Sequence, residues 1–310
     1  MVNKMYTSLA SSITKAASKQ TYYTIRFLVD RELVDDAYRA YGYFRWVDDV
    51  LDADSGSPAE RRVFLERQKY LLESCYRGVL PRDVDLQENI LVELIEHDRE
   101  KHSGLQAYLR NMMLVMDFDV RRRGGLISQI ELSEYTHWLA IAVTEAMHYF
   151  IGHGDSTPRD ETRYLAVSAA HIIHMLRDTH DDTQAGYFNI PREMLEANAI
   201  GPQEVEHPAY RAWVKGRLQL AHHYFEAGKS YFARIPSLRH RLAGLAYIAR
   251  FEWLLATIER EGCSLRPQYD ERKSVGTGVR MVWLTLSSLI NPSGAGALPR
   301  PIAAHPLGKS

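Results

Sequence analysis

The chain has 310 residues, 45% of them hydrophobic and 25% charged, with 38 Lys and Arg against 39 Asp and Glu and a formal charge of −1. That length permits one large domain or two small ones and supplies enough apolar surface for a sizeable core, which excludes disorder as the main state. Near-neutrality, with no basic tract longer than Arg121, Arg122 and Arg123, gives no electrostatic ground for a nucleic-acid partner.

Two cysteines, Cys75 and Cys263, exclude a disulfide framework and favour a reducing, cytoplasmic setting. The first twenty residues lack the apolar run of a secretory signal. No segment reaches the roughly 18 uncharged apolar residues of a membrane span. The nearest, VRMVWLTLSSLI, is short and contains Arg280.

Apolar residues recur at three and four positions in nearly every long segment, while period-two alternation is scarce, so the chain reads as all-α. Residues 1–17 are expected to be a flexible N-terminal segment. Helices are expected at 31–53, 58–78, 86–100, 104–123, 131–152, 158–185, 208–235, 237–262 and 277–290. Ser57, Pro58 and Glu60 carry a capping-box signature with proline at the first helical position. Thr157, Pro158 and Asp160 repeat that logic before the sixth helix. Connections are short, so residues 18–290 read as one helical domain. The Pro-, Gly- and Ala-rich residues 291–310 are expected to be a disordered tail.

Two acidic clusters stand out. AYGYFRWVDDVLDAD places Asp48 and Asp52 four apart, one turn from each other on the same helix face, with Asp49 beside them. Extending that stripe backward gives Arg45 and Tyr41. HMLRDTHDDTQAGYFNIP repeats the spacing with Asp178 and Asp182, with Asp181 between them and Arg177 in front. Like charges at i,i+4 weaken a helix, so each pair is costly without a cation. One such pair is usually a solvated face. Two, each joined to an arginine and embedded in apolar sequence, are harder to explain that way, because unpaired carboxylates on buried helices are expensive.

If both helices face one cavity, the pairs can hold Mg²⁺, which takes oxygen ligands and bridges carboxylates to phosphates; Mn²⁺ is an alternative. Such ions would stabilise a diphosphate leaving group, with Arg45 and Arg177 adding charge-assisted hydrogen bonds.

These blocks resemble the squalene/phytoene synthase family of head-to-head isoprenoid synthases. SKQTYYTIRFLVDRELVDDAYRAYGYFRWVDDVLD is similar in order and spacing to the family's N-terminal block, and LRDTHDDTQAGYFNIP to its second acidic block. ELSEYTHWLA, ARIPSLRHRLA and FEWLLATIEREG are weaker echoes. The resemblance implies an all-α, single-domain class I isoprenoid synthase bundle with a central cavity. It implies that Asp48, Asp52, Asp178 and Asp182 are catalytic as Mg²⁺ ligands, with Asp49 and Asp181 as further candidate ligands. Thr21, Tyr22, Tyr41, Arg45 and Arg177 would contact the substrate diphosphate.

The implied reaction ionises one allylic prenyl diphosphate, farnesyl or geranylgeranyl, and couples it to a second, releasing pyrophosphate. NADPH use and oligomeric state do not follow from the sequence. Greasy products imply at most peripheral membrane contact.

The sequence departs from the family where the later cation is steered. His171 and His174 stand where the family carries Gln and Asn. Gly-Arg-x-Tyr-Leu-Pro becomes Gly186-Tyr187-Phe188-Asn189-Ile190-Pro191. A family tyrosine corresponds to Gln129, and another to Phe251, with Tyr247 one turn earlier. A terpene synthase acting on a single prenyl diphosphate is therefore the alternative. A non-catalytic assembly factor of this fold, and an HD-type phosphohydrolase built on His180-Asp181, rank below it. Glu145 and His148, like Glu204 and His207, have the spacing of half a helical di-iron site; packing is the simpler reading of His148.

Overall fold

A computed structural model describes residues 2–53 and 56–269. The helix expected at 277–290 and the tail at 291–310 lie outside the described residues. Eleven α-helices run through the described part: α1 (Val2–Ala17), α2 (Lys19–Leu28), α3 (Val34–Asp52), α4 (Pro58–Tyr76), α5 (Glu88–His97), α6 (Gly104–Arg122), α7 (Gln129–Phe150), α8 (Leu165–Ala185), α9 (Arg192–Asn198), α10 (Pro208–Ala233) and α11 (Leu238–Arg260). Short 3₁₀ turns precede α3 and α8.

The capping box at Ser57 forms as expected: its hydroxyl accepts from the Glu60 N–H, and Glu60 returns the bond to the Ser57 N–H. Asp160 also caps, but what it caps is the 3₁₀ turn Glu161–Tyr164, so α8 starts seven residues later than the sequence signal implies.

Residues 2–17, expected to be flexible, form α1. Its middle packs on α3, where Ala10 is fully buried and Gly42 comes so near that a Cβ there would sit 3.1 Å from the Ala10 Cα. Small residues make that seam, while Val2, Met5, Leu9 and Ile13 recur at three and four positions, so the helical periodicity of this segment is present in the sequence.

Three apolar clusters organise the interior. The first is built mainly from α3, α5, α6 and the C-terminal end of α7, around Tyr43, Val47, Leu91, Leu94 and Leu109. The second belongs to α8, α10 and α11, around Ile173, Val214, Leu218, Phe225 and Ile258. Between them lies a small third cluster of Val115, Phe118, Ile127, Leu132, Tyr135 and Met175. The first cluster holds the helix of the first acidic pair, the second holds that of the second pair, and the third joins them.

The sheet is minimal. β1 (Leu126–Ile127) and β2 (Phe188–Pro191) pair in parallel, Leu126 with Phe188 and Ile127 with Pro191 across an irregular register. This pairing ties the α6–α7 connection to the chain leaving α8. Gly186 makes the exit: with φ of 87° it ends α8 in the left-handed conformation that glycine adopts without steric cost. The Tyr187 N–H then bonds back to the Asp182 carbonyl at 2.7 Å. The reversal brings β2 alongside the last turn of α8.

Candidate active site

A cavity of about 680 Å³ opens between the two halves. Asp48 and Asp52 come to it from α3; Asp119, Arg122 and Arg123 from the end of α6; Tyr135 from α7; His171, His174, Asp178 and Asp182 from α8; and Tyr187 and Asn189 from β2. The two acidic pairs, about 130 residues apart in the chain, therefore share one space. Leu51, Met116, Val120 and Met175 supply apolar wall between the charges.

The electrostatics record the strain of that arrangement. Burial, then the neighbouring Asp52, push the Asp48 carboxyl up to about 6, against the pull of Arg45. Burial and Asp178 push Asp182 up to about 7, although Arg122 and Asn189 oppose the shift. Asp178 goes the other way. Burial works to raise it, but hydrogen bonds from His174 and Arg177 outweigh that and hold it below the usual carboxylate range. The Arg177 fork grips both Asp178 oxygens at 2.5 and 2.6 Å, and His174 Nε2 lies 3.1 Å from Asp178 Oδ2.

A polar chain crosses the cavity between the halves. Tyr135 donates its hydroxyl to Asp119 at 2.8 Å; Arg122 Nε donates to the other Asp119 oxygen at 2.7 Å. Arg122 Nη1 reaches Asn189 Oδ1 at 2.9 Å, and Asn189 Nδ2 donates to Asp182 at 2.7 Å. The Arg122 side chain is 9% exposed, and its guanidinium lies over the rings of Tyr135 and Tyr187 at 4.9 and 5.1 Å. Burial raises Asp119, while Arg122 and Tyr135 pull it down.

Sequence reasoning missed Asp119, Arg122 and Tyr135 as site residues. Two signals were present: Asp119 and Arg122 are three apart on a helix, and Tyr135 lies in the ELSEYTHWLA echo. Tyr187 and Asn189, noticed only as departures from a motif, line the cavity themselves.

The remaining expected residues are placed less uniformly. His171 and His174 line the cavity. His171 is buried with neither ring nitrogen hydrogen-bonded, and burial holds its pKa down to about 3, so it is neutral. Phe251 and Tyr247 stand behind His174: ring centroids are 6.3 Å apart for His174 and Phe251 and 5.2 Å for Phe251 and Tyr247. Burial pushes Tyr247 up to about 12.

Arg45 bonds to the lining residue Asp48 at 3.3 Å and pairs with Asp49. Tyr41 packs against the first apolar cluster. On α2, Thr21 donates to Ser18, and Tyr22 stacks on Tyr38 at 5.3 Å. None of Thr21, Tyr22, Tyr41, Arg45 and Arg177 is among the lining residues.

Three further expected residues lie outside the lining. Gln129, proposed for the pocket, is exposed in the first turn of α7, where its N–H bonds to Glu193. Asp49 and Asp181 are exposed and outside the lining, because helical spacing turns them off the faces of their partners.

The di-iron and HD readings lose their geometry as well. Glu145 accepts from Arg163 and Tyr164, and His148 Nε2 pairs with the Tyr231 hydroxyl at 2.9 Å. Glu204 accepts from the Gly201 N–H, and His207 caps α10. His180 Nε2 lies 3.2 Å from the Leu265 carbonyl.

Among the described residues, no three His, Cys, Asp or Glu side chains gather tightly enough to enclose an ion by themselves. The donor set is instead two carboxylate pairs in which burial and like-charge repulsion outweigh the neighbouring donors at Asp48 and Asp182. That fits a hard divalent cation held by one or two carboxylates, water and substrate oxygens.

Comparison with known proteins agrees with this architecture. A presqualene diphosphate synthase from Zymomonas mobilis is 26% identical over 198 residues, which cover 63% of this chain and 64% of that protein, less than two thirds of its length. The crystal structure of squalene synthase HpnC from Alicyclobacillus acidocaldarius superposes with a TM-score of 0.69 at 17% identity, covering 85% of this chain and 97% of that one. A dehydrosqualene synthase crystallised with a ligand gives 0.68 at 17% identity, covering 92% and 96%. These likenesses establish the all-α isoprenoid synthase fold. The squalene/phytoene synthase sequence profile matches residues 14–276, so the chain belongs to that family.

Proposed function

We propose that the chain is a Mg²⁺-dependent prenyltransferase that ionises an allylic prenyl diphosphate, farnesyl or geranylgeranyl, and couples it head-to-head to a second, releasing pyrophosphate. The observation that carries this reading is the meeting of Asp48 and Asp52 with Asp178 and Asp182 in one cavity. Bound Mg²⁺ would neutralise the diphosphate and stabilise it as a leaving group.

The protein's own residues supply the rest. The acidic pairs hold charge of the sign that the ions need. Arg122 and Arg123 present cations at the same cavity, suited to diphosphate oxygens. Leu51, Met116, Val120 and Met175 keep part of the wall dry, which protects an allyl cation from water. The ring faces of Tyr135 and Tyr187 can stabilise a passing cation. Those rings already lie under Arg122, so its position decides how much of each face substrate meets.

A second reading rests on the residues that depart from the family. His171, His174, Tyr187 and Asn189 all line the cavity beside Asp48, Asp52, Asp178 and Asp182, so the residues that differ from the family face the same space as the acidic pairs. The same site would then ionise one diphosphate and cyclise or quench its cation.

Purified protein incubated with Mg²⁺ and farnesyl or geranylgeranyl diphosphate decides between the two. The head-to-head reading predicts a product with twice the substrate's carbon number. A product with the substrate's own carbon number would replace it by the single-substrate reading. Absence of pyrophosphate release with every chain length would refute both.

A further inference from the structure

Helix α2 has one face that packing explains and one that it does not. Ile25 and, just past the helix end, Val29 are buried in the first apolar cluster, and Tyr22 packs against it. On the outer face Tyr23 is 52% and Phe27 72% exposed, their rings stacked 6.1 Å apart. Lys19, Thr24 and Arg26 are exposed beside them. Leu238, the first residue of α11, is 55% exposed, and the next residue, Arg239, pairs with Asp30 just beyond the end of α2.

The scaffold beneath this face is fixed. Ser18 caps the start of α2. At the other end Asp30 accepts the N–H groups of Gly152 at 3.0 Å and His153 at 2.8 Å, while its own N–H donates to the Phe150 carbonyl at 2.8 Å. The rings are displayed by a helix hydrogen-bonded at both ends.

Charge is as uneven as polarity here. Residues 1–29 hold Lys4, Lys15, Lys19 and Arg26 and no acidic residue, in a chain whose overall charge is −1. The first acidic side chain, Asp30, is taken by Arg239; Glu32 and Asp35 follow, exposed, beyond the helix end.

We propose that the outer face of α2, with Leu238, docks the protein on the surface of an anionic lipid bilayer. Tyr23, Phe27 and Leu238 would settle at the boundary of headgroups and acyl chains, where amphipathic rings partition, and Lys19 and Arg26 would meet lipid phosphates. No helix among the described residues is long and apolar enough to cross a membrane, so the attachment lies on the surface. A second copy of the chain fits this face less well. Pairing would bring two cationic faces together, and two rings with one leucine fall far short of the roughly 800 Å² per partner of a stable interface. Binding through so few groups is weak, reversible and sensitive to salt. The inference does not rest on the proposed activity, since its test reads binding.

The full chain is sedimented with vesicles of phosphatidylcholine alone and of phosphatidylcholine with about a third phosphatidylglycerol. The proposal predicts binding to the anionic vesicles, loss of binding in high salt and little binding to the neutral ones. The double variant Tyr23→Ser, Phe27→Ser should bind at least tenfold more weakly. Lys19→Gln with Arg26→Gln should lose roughly 25-fold, at about fivefold per basic residue near an anionic surface. Both double variants should keep the wild-type melting temperature, which separates a lost contact from a lost fold. Wild-type affinity in both double variants would overturn the proposal, as would failure of the wild type to bind anionic vesicles at low salt. Concentration-dependent dimerisation abolished by the same substitutions, without vesicle binding, would also overturn it in favour of a second copy.

Discussion

Arg122 on α6 donates a 2.9 Å hydrogen bond to the side-chain oxygen of Asn189 on β2, joining the two halves of the protein across the cavity. The same guanidinium holds Asp119, and the same asparagine holds Asp182. Arg122→Ala leaves the mostly buried Asp119 without its cation and is expected to cost about 3 kcal/mol in chemical denaturation. Arg122→Lys keeps a charge but cannot span both partners in the geometry of a planar fork. It should retain most of the stability and lose about tenfold in kcat. Equal stability for wild type and Arg122→Ala would remove the cross-link from the account.

Asp182 carries a second prediction, about the protein without metal. Its raised pKa means that the folded chain takes up a proton more readily than the unfolded chain, so stability from this group falls as pH rises from the ordinary carboxylate range to about 7. Asp182→Asn removes the repulsion from Asp178 and keeps an acceptor for Asn189. At pH 8 it should stabilise the metal-free protein by on the order of 1–2 kcal/mol, allowing for partial exposure to solvent. That advantage should shrink by pH 5, where wild-type Asp182 is protonated. Thermal melts of both proteins across this range check the sign, and a gap that widens on acidification would contradict it.

Ion binding should follow the opposite course. With Asp48 at about 6 and Asp182 at about 7, protons compete for two ligands as pH falls, while His171 stays neutral. The rise in melting temperature given by Mg²⁺ with inorganic pyrophosphate should be full at pH 8 and largely lost at pH 5. A rise independent of pH would place the ions elsewhere.

His174→Asn tests the departures from the family. Asparagine can keep a hydrogen bond to Asp178 but removes the ring facing Phe251. Pyrophosphate release should stay within about threefold of wild type, while the product distribution shifts. An unchanged distribution in the extracted products would leave His174 a packing residue.

Gly228 tests the placement of α8. A Cβ at this position would lie 2.7 Å from the Ala166 Cβ and 3.1 Å from its Cα, so Gly228→Ala forces α10 and α8 apart. Overpacking of this kind costs about 1–3 kcal/mol, against the roughly 1 kcal/mol that alanine gains over glycine within a helix. A measured gain in stability would show that the two helices have room to give.

Much of this was legible in the sequence. The i,i+4 aspartates lie within single helices, where spacing alone fixes which side chains share a face, and the amphipathic stripes of α3 to α8, α10 and α11 were read from the same rule. The polar chain was not legible in that way. Asp119 meets Asn189 through Arg122 only because Gly186 reverses the chain after α8 and β2 pairs with β1, joining residues some 70 positions apart. Helix α1 was legible by the same rule, since Val2, Met5, Leu9 and Ile13 keep helical spacing, but a position at the chain end led to the expectation of a flexible segment. Gln129 was assigned to the pocket from its place in a motif, but at the first turn of α7 its backbone serves as a hydrogen-bond donor to Glu193.

The central claim is that two acidic pairs from the two halves act together on one diphosphate. Mg²⁺-dependent pyrophosphate release from farnesyl and geranylgeranyl diphosphate, in wild type, Asp48→Asn and Asp178→Asn, tests it most directly. Each variant should lose at least a hundredfold in rate, about 3 kcal/mol of transition-state stabilisation, with its fold intact by circular dichroism. Turnover retained within a few-fold in either variant, or release by the wild type unaffected by chelating Mg²⁺, would contradict the account.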